Sequence, residues 1–369
     1  MSTEGWHLLR RRQWLRSCPD TLQQWFQYVD EVLLKRQLFN VLKVLASLGI
    51  LTYLIVSTFH KHPESLHQLQ SEPKNWSLLI AAWVLLSVAL MITFFRWYLL
   101  VRVLSLPFSL RDAFRLGFVG YFFNLISIGA VGGDLFKAIF LAREQPGRRT
   151  EAVATVIVDR LVGLYGLLLI ASVAIAFSKV SQFSDHVRLL CQGTLIVTAV
   201  ASVALLMLVM GFGINGKLAN QLCRVRRIGP LFERLIFAAQ TYRKHISVLG
   251  QALLLTLCVH AIGAVAFFFI ASSLPGETPS LATHFFIIPL GMVAGVIPLP
   301  MGALGAIEGV MQFLYDQTGG NVAKGLVVTL VYRLITILIA MVGVGFYVRT
   351  QRDLNRVLKE ARQLGGTYD

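Results

Sequence analysis

Acidic and basic residues recur in the same order, and at nearly the same spacing, in two apolar parts of the 369-residue chain. Asp134 and Arg160 lie 26 residues apart, and Glu308 and Arg333 lie 25 residues apart. Ionisable groups at membrane depth are costly, so they are rare unless they pair with one another or handle a substrate. Two copies of one such arrangement predict a duplicated transport unit, with its substrate site at the interface of the two copies.

Glycine and proline interrupt the apolar sequence close to each acid. The predicted breaks are Gly132, Gly133, Pro298, Pro300, Gly302 and Gly305. Residues of these types free backbone groups that, at membrane depth, only protein or water can satisfy. The breaks therefore predict the tips of helical hairpins that are buried in protein or line a water-filled cavity.

The side chains around the breaks have the chemistry of an anion site. Arginine recognises phosphate through two parallel hydrogen bonds, and a helix that begins at Asp134 would turn its N-terminus towards an anionic headgroup. The alternatives are a simple helix cap at Asp134 and structural ion pairs at the other charges. Adjacent helical residues diverge by about 100°, so Asp159 and Arg160 need different partners. The predicted substrate-binding residues are Asn124, Asp134, Lys137, Asp159, Arg160, Glu308 and Arg333.

Composition places these residues in a membrane protein. The chain is 56% hydrophobic and 14% charged, with a mean hydropathy of +0.66, whereas soluble domains carry about 25% charged residues. The sequence predicts an all-α polytopic membrane protein with about six full spans and two re-entrant hairpins. The predicted spans are 38–59, 76–100, 152–177, 189–213, 246–273 and 323–348, and the predicted hairpins are 113–143 and 281–316.

Positive charge predicts the orientation. Of the 34 Lys and Arg residues, 25 fall in segments assigned to the cytoplasm and five in those assigned to the opposite side. The assignment makes 76–177 and 246–348 an inverted-topology repeat within a transmembrane domain over 38–348. A basic amphipathic segment (1–37) and a basic tail (349–369) flank it on the cytoplasmic side. The expected location is the cell membrane.

Chemistry other than transport has little support in the sequence. The four cysteines are scattered, neither a metal motif nor a nucleotide-binding motif is present, and no catalytic set is predicted. The alternative to a transporter is an integral membrane transferase acting on a polyprenyl-phosphate or phospholipid. The expected partners are membrane lipids with a phospholipid or polyprenyl-phosphate-type headgroup, not nucleic acid. No cofactor is expected, and a homo-oligomer is left open.

Several motifs resemble one known family. They are Asn124 with Asp134 and Lys137, then Val158-Asp159-Arg160-Leu161-Val162-Gly163-Leu164, and in the second half Pro298-Leu299-Pro300 through Glu308 with Tyr332-Arg333-Leu334. Over about residues 40–350 the chain resembles the flippase-like membrane family related to the transmembrane domain of lysylphosphatidylglycerol synthase. Members often carry proline where this chain has Ile128, and Pro-Gly-Gly-Leu-Gly over 301–305. The resemblance implies lipid translocation between leaflets without headgroup synthesis.

Overall fold

The computed structural model describes residues 42–126, 132–145, 147–178, 183–210, 237, 240–296 and 303–365. These residues form helices joined by short connections. The helices are α1 Leu42–Lys61, α2 Pro63–Ser71, α3 Trp76–Val103, α4 Leu110–Ile126, α5 Gly132–Glu144, α6 Arg149–Phe177, α7 Asp185–Met210, α8 Ile246–Ser273, α9 Leu281–Val293, α10 Ala306–Gln317 and α11 Val322–Gly365. The predicted amphipathic segment 1–37 lies outside the described residues.

Six of these helices, α1, α3, α6, α7, α8 and α11, are long and apolar enough to cross a membrane. Their side chains are apolar on nearly all sides, as expected for helices that face lipid outwards and each other inwards. The predicted class, an all-α polytopic membrane protein, is confirmed. The remaining long stretches of apolar sequence form two pairs of shorter helices, and these pairs fall where the sequence predicts hairpins.

The first pair, α4 and α5, is an antiparallel hairpin. Its tip is closed by Asn124, whose Oδ1 accepts the backbone N–H of Gly133 at 2.8 Å. Further from the tip, Gly120 faces Lys137, and the guanidinium carbon of Arg115 lies 5.7 Å from the centre of the Phe140 ring. As the residue number falls along α4 it rises along α5, so the two arms run in opposite directions.

The second pair, α9 and α10, repeats this geometry. The ring of His284 lies 2.8 Å from the Tyr315 hydroxyl, between Nε2 and the oxygen, and Gly291 faces Met311 nearer the tip. A short 3-10 turn, Ala294–Val296, follows α9. At 1.5 Å per residue, the 13-residue α5 and the 12-residue α10 measure about 20 Å and 18 Å. Each is shorter than the roughly 30 Å of a hydrocarbon core.

The two halves pack against each other reciprocally. Helices α3 and α8, which open the two predicted repeats, run antiparallel, since Asn75 bonds to Ser273 at one end and Tyr242 bonds to Leu100 near the other. The hairpin arm α4 packs on α11, and the corresponding arm α9 packs on α6. Each hairpin thus packs on long helices of its own half and on one long helix of the other half, α11 for the first hairpin and α6 for the second.

One helix outside the two repeats breaks this symmetry. Helix α1 lies along α10, where Gln312 donates to the Thr58 hydroxyl at 2.6 Å and Gly309 approaches Leu54. At the start of α10, Gly305 has φ +87° and a Cβ placed there would lie 2.8 Å from Ile50. Both the backbone conformation and the contact with α1 therefore require glycine at this predicted break.

The close approach of the first hairpin's arms predicts a large effect of one methyl group. A Cβ on Gly133 would lie 1.8 Å from the carbonyl oxygen of Gly120, so Gly133→Ala must separate α4 from α5. We expect the free energy of unfolding in detergent to fall by about 1–3 kcal/mol, as for overpacked cores. The control is Gly193→Ala in α7, where a Cβ would meet nothing within 4 Å and helix propensity favours alanine. Equal stability of both variants would contradict the packing.

Candidate functional site

The first acid–arginine pair joins the first hairpin to the following long helix. Asp134, in the first turn of α5, lies 3.4 Å from Nη1 of Arg160 on α6 and 3.8 Å from Nζ of Lys137. The Arg160 side chain is 43% exposed, while Lys137 is buried with its ammonium 5.2 Å from the Trp97 ring centre. Two cations around one carboxylate leave an excess of positive charge, and Arg160 carries its accessible part.

The second pair is built in the same way but is closed. Oε1 of Glu308 accepts Nε–H of Arg333 at 2.5 Å, and Oε2 accepts the backbone N–H of Gly305 at 2.7 Å. The Glu308 side chain is 0% exposed and that of Arg333 is 15% exposed. Both carboxylate oxygens are therefore used within the protein, in contrast to the looser pair in the first half.

Asp159 has a different partner from its neighbour Arg160, as their divergence on the helix predicts. Nε of Arg96 on α3 donates to Oδ1 of Asp159 at 2.8 Å, and Nη1 donates to the hydroxyl of Thr256 on α8 at 2.8 Å. Arg96 and Asp159 are both buried. This pair binds three long helices together, so the structural alternative fits Asp159 better than substrate binding does.

Sequence reasoning missed Arg96. The charge count includes it among the 25 cytoplasmic Lys and Arg residues, whereas in the structure α3 continues to Val103 and buries the Arg96 side chain. Removing one arginine leaves the cytoplasmic excess of positive charge nearly unchanged. A signal existed in the sequence, since buried Asp159 needed a cation and Arg96 follows an otherwise uncharged apolar run.

The second half replaces this ion pair with two aromatic rings. The offset of 173 residues that relates Arg160 to Arg333 places Tyr332 at the position of Asp159, and Tyr332 packs on Phe267 of α8, the helix that corresponds to α3. Their ring centres lie 4.4 Å apart. The duplicated features are thus the hairpins and the pairs Asp134–Arg160 and Glu308–Arg333, whereas the charged contact between α3 and α6 occurs in the first half.

The start of α5 differs from the prediction. The helix begins at Gly132, two residues before Asp134, so Asp134 lies in the first turn and is not the residue that caps the helix. The N–H of Gly133, one of the four at the helix start that lack an intrahelical partner, is satisfied from across the hairpin by Asn124. Asn124 therefore joins the two arms of the hairpin near its tip.

A cavity of about 240 Å³ lies between the two halves. Its walls come from α3, α4, α6, α8, α9 and α11 and are mostly apolar, with polar groups at Tyr121, His260, Tyr332 and Thr336. Tyr121 forms a side-chain hydrogen bond with Thr336, and the positive charge of Arg333 lies near the Tyr121 hydroxyl. Nε2 of His260 lies 3.2 Å from the carbonyl oxygen of Gly163. The cavity thus lies between the hairpin arms α4 and α9, and the charged residues of the two acid–arginine pairs are not among the residues that line it.

The structure brings the predicted residues together in three groups. Asp134, Lys137 and Arg160 form one, Glu308 and Arg333 form the second, and Asp159 belongs to the helix contact with Arg96. The predicted breaks Gly132, Gly133 and Gly305 lie at helix starts. Pro298, Pro300 and Gly302 lie outside the described residues.

A bundle of long apolar helices with two helical hairpins, each tied to a long helix by an acid–arginine pair, defines an all-helical, multi-pass membrane protein. Comparison with known families gives the more specific result. The family described as "Lysylphosphatidylglycerol synthase TM region" matches residues 40–343. The chain belongs to this family, so the resemblance of the motifs is confirmed.

A curated relative supports the same assignment. The chain is 23% identical over 267 residues to a UPF0104 membrane protein of Methanothermobacter thermautotrophicus, an alignment that covers 68% of this chain and 78% of the relative. The relative's name gives its membrane location and no substrate. The comparisons therefore place the chain in a family of membrane proteins whose name refers to a lipid-modifying enzyme.

Proposed function

We propose that this protein translocates an anionic or amphiphilic lipid between the two leaflets of the membrane. The observation that carries the proposal is the pair of equivalent acid–arginine contacts, Asp134–Arg160 and Glu308–Arg333, on two hairpins that pack reciprocally around a shared cavity. Substrate sites of duplicated transporters lie at such interfaces. Membership of the lysylphosphatidylglycerol synthase transmembrane family supports a lipid as the substrate.

In this mechanism the charged pairs exchange partners with the lipid headgroup. Arg160 and Lys137 would take the lipid phosphate from water, because arginine and lysine form strong charge-assisted hydrogen bonds with phosphate oxygens. Asp134 and Glu308 would neutralise the arginines when no headgroup is bound, which keeps unpaired charge out of the bilayer. The acyl chains would stay in the membrane while the headgroup passes between the hairpin tips.

The hairpins would enter the membrane from opposite sides without crossing it. Their short second arms support this arrangement, as does the antiparallel packing of α3 and α8. Irregular backbone at membrane depth is tolerated where it lies in protein or lines a water-filled cavity. The first hairpin would then open to the cytoplasm and the second to the opposite side, with both termini of the chain in the cytoplasm.

This orientation predicts a pattern of labelling. Cysteines placed at 65, 182 and 277 should react with an impermeant thiol reagent applied from outside, and cysteines at 147, 226 and 355 should react only after the membrane is permeabilised. The physical reason is the retention of Lys and Arg on the cytoplasmic side. Reaction of position 226 from outside would rule out the inverted repeat.

The proposed activity is tested directly in liposomes. Purified protein is reconstituted with a fluorescent anionic phospholipid in both leaflets, and a membrane-impermeant reductant then bleaches the outer leaflet. Without translocation about half the signal is protected. With translocation the protected signal should decay further, at a rate that rises with the protein content of the vesicles.

Two controls make the assay specific. Protein-free vesicles report leakage of the reductant, and the double variant Asp134→Asn/Arg160→Gln reports translocation that does not need the first pair. Protection that stays at one half in vesicles with folded wild-type protein, for phospholipid and polyprenyl-phosphate probes alike, would refute the proposed function.

A further inference from the structure

An apolar groove runs between α5 and α6, separate from the central cavity. It encloses about 380 Å³, within the roughly 300–1,000 Å³ of ordinary ligand sites. Leu135 and Ile139 on α5 line one wall, and Val153 and Ile157 on α6 line the other. Leu135 is 56% exposed and Ile139 is 45% exposed, so this wall is open and not packed into the core.

One end of the groove has a basic residue, and a second basic residue lies on the same helix beyond the other end. Arg149 lies on the rim at the first residue of α6, and Arg160 lies on the same face of α6, 11 residues further on. That separation is about 16 Å along the helix axis, close to half of a hydrocarbon core of roughly 30 Å. Thus, when Arg149 lies at the headgroup level, Arg160 lies near the bilayer midplane.

The equivalent face in the second half is partly covered by protein. The offset of 174 residues places Gly309 at the position of Leu135 and Phe313 at that of Ile139. There, α1 packs along α10 through Leu54 against Gly309 and through Thr58, which bonds to Gln312. The first of these two faces is the one that keeps an open groove.

The rims of the two faces also differ in charge. Arg149, the first residue of α6, corresponds to Val322, the first residue of α11. The open face therefore has a cation at its shallow end, and the covered face has an apolar residue there. An apolar channel with a positive charge at headgroup level is complementary to a lipid with an apolar chain and an anionic headgroup.

We propose that the α5–α6 groove is a binding site for one anionic phospholipid. Its headgroup phosphate lies at Arg149, and one acyl chain lies against Leu135, Ile139, Val153 and Ile157. The inference rests on the proposed function, because it makes this groove the lateral access route that leads to Arg160. It also makes the two halves unequal: lipid reaches the first pair through the groove, while α1 packs on part of the matching face in the second half.

Photo-crosslinking in nanodiscs tests the site without requiring transport. The photoreactive residue p-benzoylphenylalanine replaces Ile139 in the full chain, in phosphatidylcholine containing a small fraction of phosphatidylglycerol, and mass spectrometry identifies the adducts. We expect phosphatidylglycerol to be enriched about fivefold over its bulk ratio, the effect of one basic residue near an anionic headgroup. Arg149→Gln should return the adducts to the bulk ratio.

Two matched positions give the background. Phe313, the counterpart of Ile139, is 38% exposed and has Val322 at its rim where the groove has Arg149, and Val197 on α7 is 53% exposed; lipid adducts at both should follow the bulk ratio. If substitution of Ile139 prevents folding, the same residue at Leu135 gives the same readout. Adducts at the bulk ratio at 139 and 135 would overturn the proposal, since the groove would then be ordinary lipid-facing surface.

The remaining outcomes are also decisive. A crosslink from 139 to a peptide of this chain would mean that the protein itself fills the groove, and the proposal would fall. Enrichment in a protein that moves no lipid in liposomes would refute the proposed function and leave the binding site standing. Translocation without enrichment would do the reverse.

Discussion

Removing the carboxylate of Asp159 alone is expected to destabilise the protein by about 3–5 kcal/mol, the usual loss when a buried ion pair is broken on one side. Asp159→Asn leaves the buried guanidinium of Arg96 without a counter-charge at a point where α3, α6 and α8 meet. The measurement is reversible melting in detergent or, where melting is irreversible, the rate of unfolding at a fixed temperature.

The second half of the molecule suggests the compensating change. Because the corresponding helices of the second half meet through uncharged side chains, Phe267 and Tyr332, the double variant Arg96→Met/Asp159→Val removes both charges and keeps the side-chain volumes close to the native ones. Replacement of a buried ion pair by apolar groups of similar volume is often neutral or stabilising. We expect the double variant to melt within about 1 kcal/mol of the wild type.

An exposed ion pair serves as the control. Arg188→Gln breaks the contact between Arg188 and Asp185 at the start of α7, where both side chains are largely exposed, and such pairs contribute about 0–1 kcal/mol. If Asp159→Asn has an effect as small as Arg188→Gln, the pair of Arg96 and Asp159 does not hold the helices together. Loss of transport in a stable double variant would instead return Asp159 to the substrate site.

The sequence predicts the helical class, the six spans and the position of both hairpins because each depends on local quantities. A run of about 20 apolar residues is a span wherever it occurs, and glycine or proline interrupts a helix by its own geometry. The similar spacing of the two acid–arginine pairs corresponds to two similar contacts, Asp134 with Arg160 and Glu308 with Arg333. These contacts form because the second arm of each hairpin packs on the helix that follows it in the chain.

Contacts between distant segments could not be predicted in the same way. Arg96 is 63 residues from Asp159 and 160 from Thr256, and no periodicity in one helix reveals which other helix it meets. The same holds for the covering of α10 by α1, which joins Thr58 to Gln312 across 254 residues. The sequence predicts the same substrate-binding role for Arg160 and Arg333. In the structure Arg160 is 43% exposed and Arg333 is 15% exposed, a difference that the sequence pattern does not contain.

Arg160→Lys is expected to slow lipid translocation about tenfold or more while the stability of the protein changes little. Lysine keeps the positive charge but loses the planar fork that holds two phosphate oxygens, and the hydrogen bond lost is of the charge-assisted kind, worth about 1.5–3 kcal/mol. The small stability effect follows from the 43% exposure of Arg160 and its loose contact of 3.4 Å with Asp134. The rate of signal loss in the liposome assay measures the change.

Arg333→Lys should behave differently because its environment is closed. Arg333 donates to a fully buried carboxylate, so the shorter reach and different geometry of lysine should weaken that contact and lower the melting temperature together with the rate. Arg188→Lys on the exposed surface is the matched control for loss of a guanidinium away from the site. Comparing the three variants separates an arginine that binds substrate from one whose main role is the buried contact with Glu308.

Neutral double variants decide whether these charges are a site or architecture. Asp134→Asn/Arg160→Gln takes the carboxylate away from the buried Lys137, so this double variant also carries Lys137→Gln, whereas Glu308→Gln/Arg333→Gln leaves no buried charge alone. Both proteins should therefore fold with most of the wild-type stability. If the arginines bind a lipid phosphate, the first double variant should nonetheless lose translocation, because it has no cation at the accessible position. Wild-type rates in both folded double variants would mean that the pairs only join helices, and the headgroup site would have to lie elsewhere in the molecule.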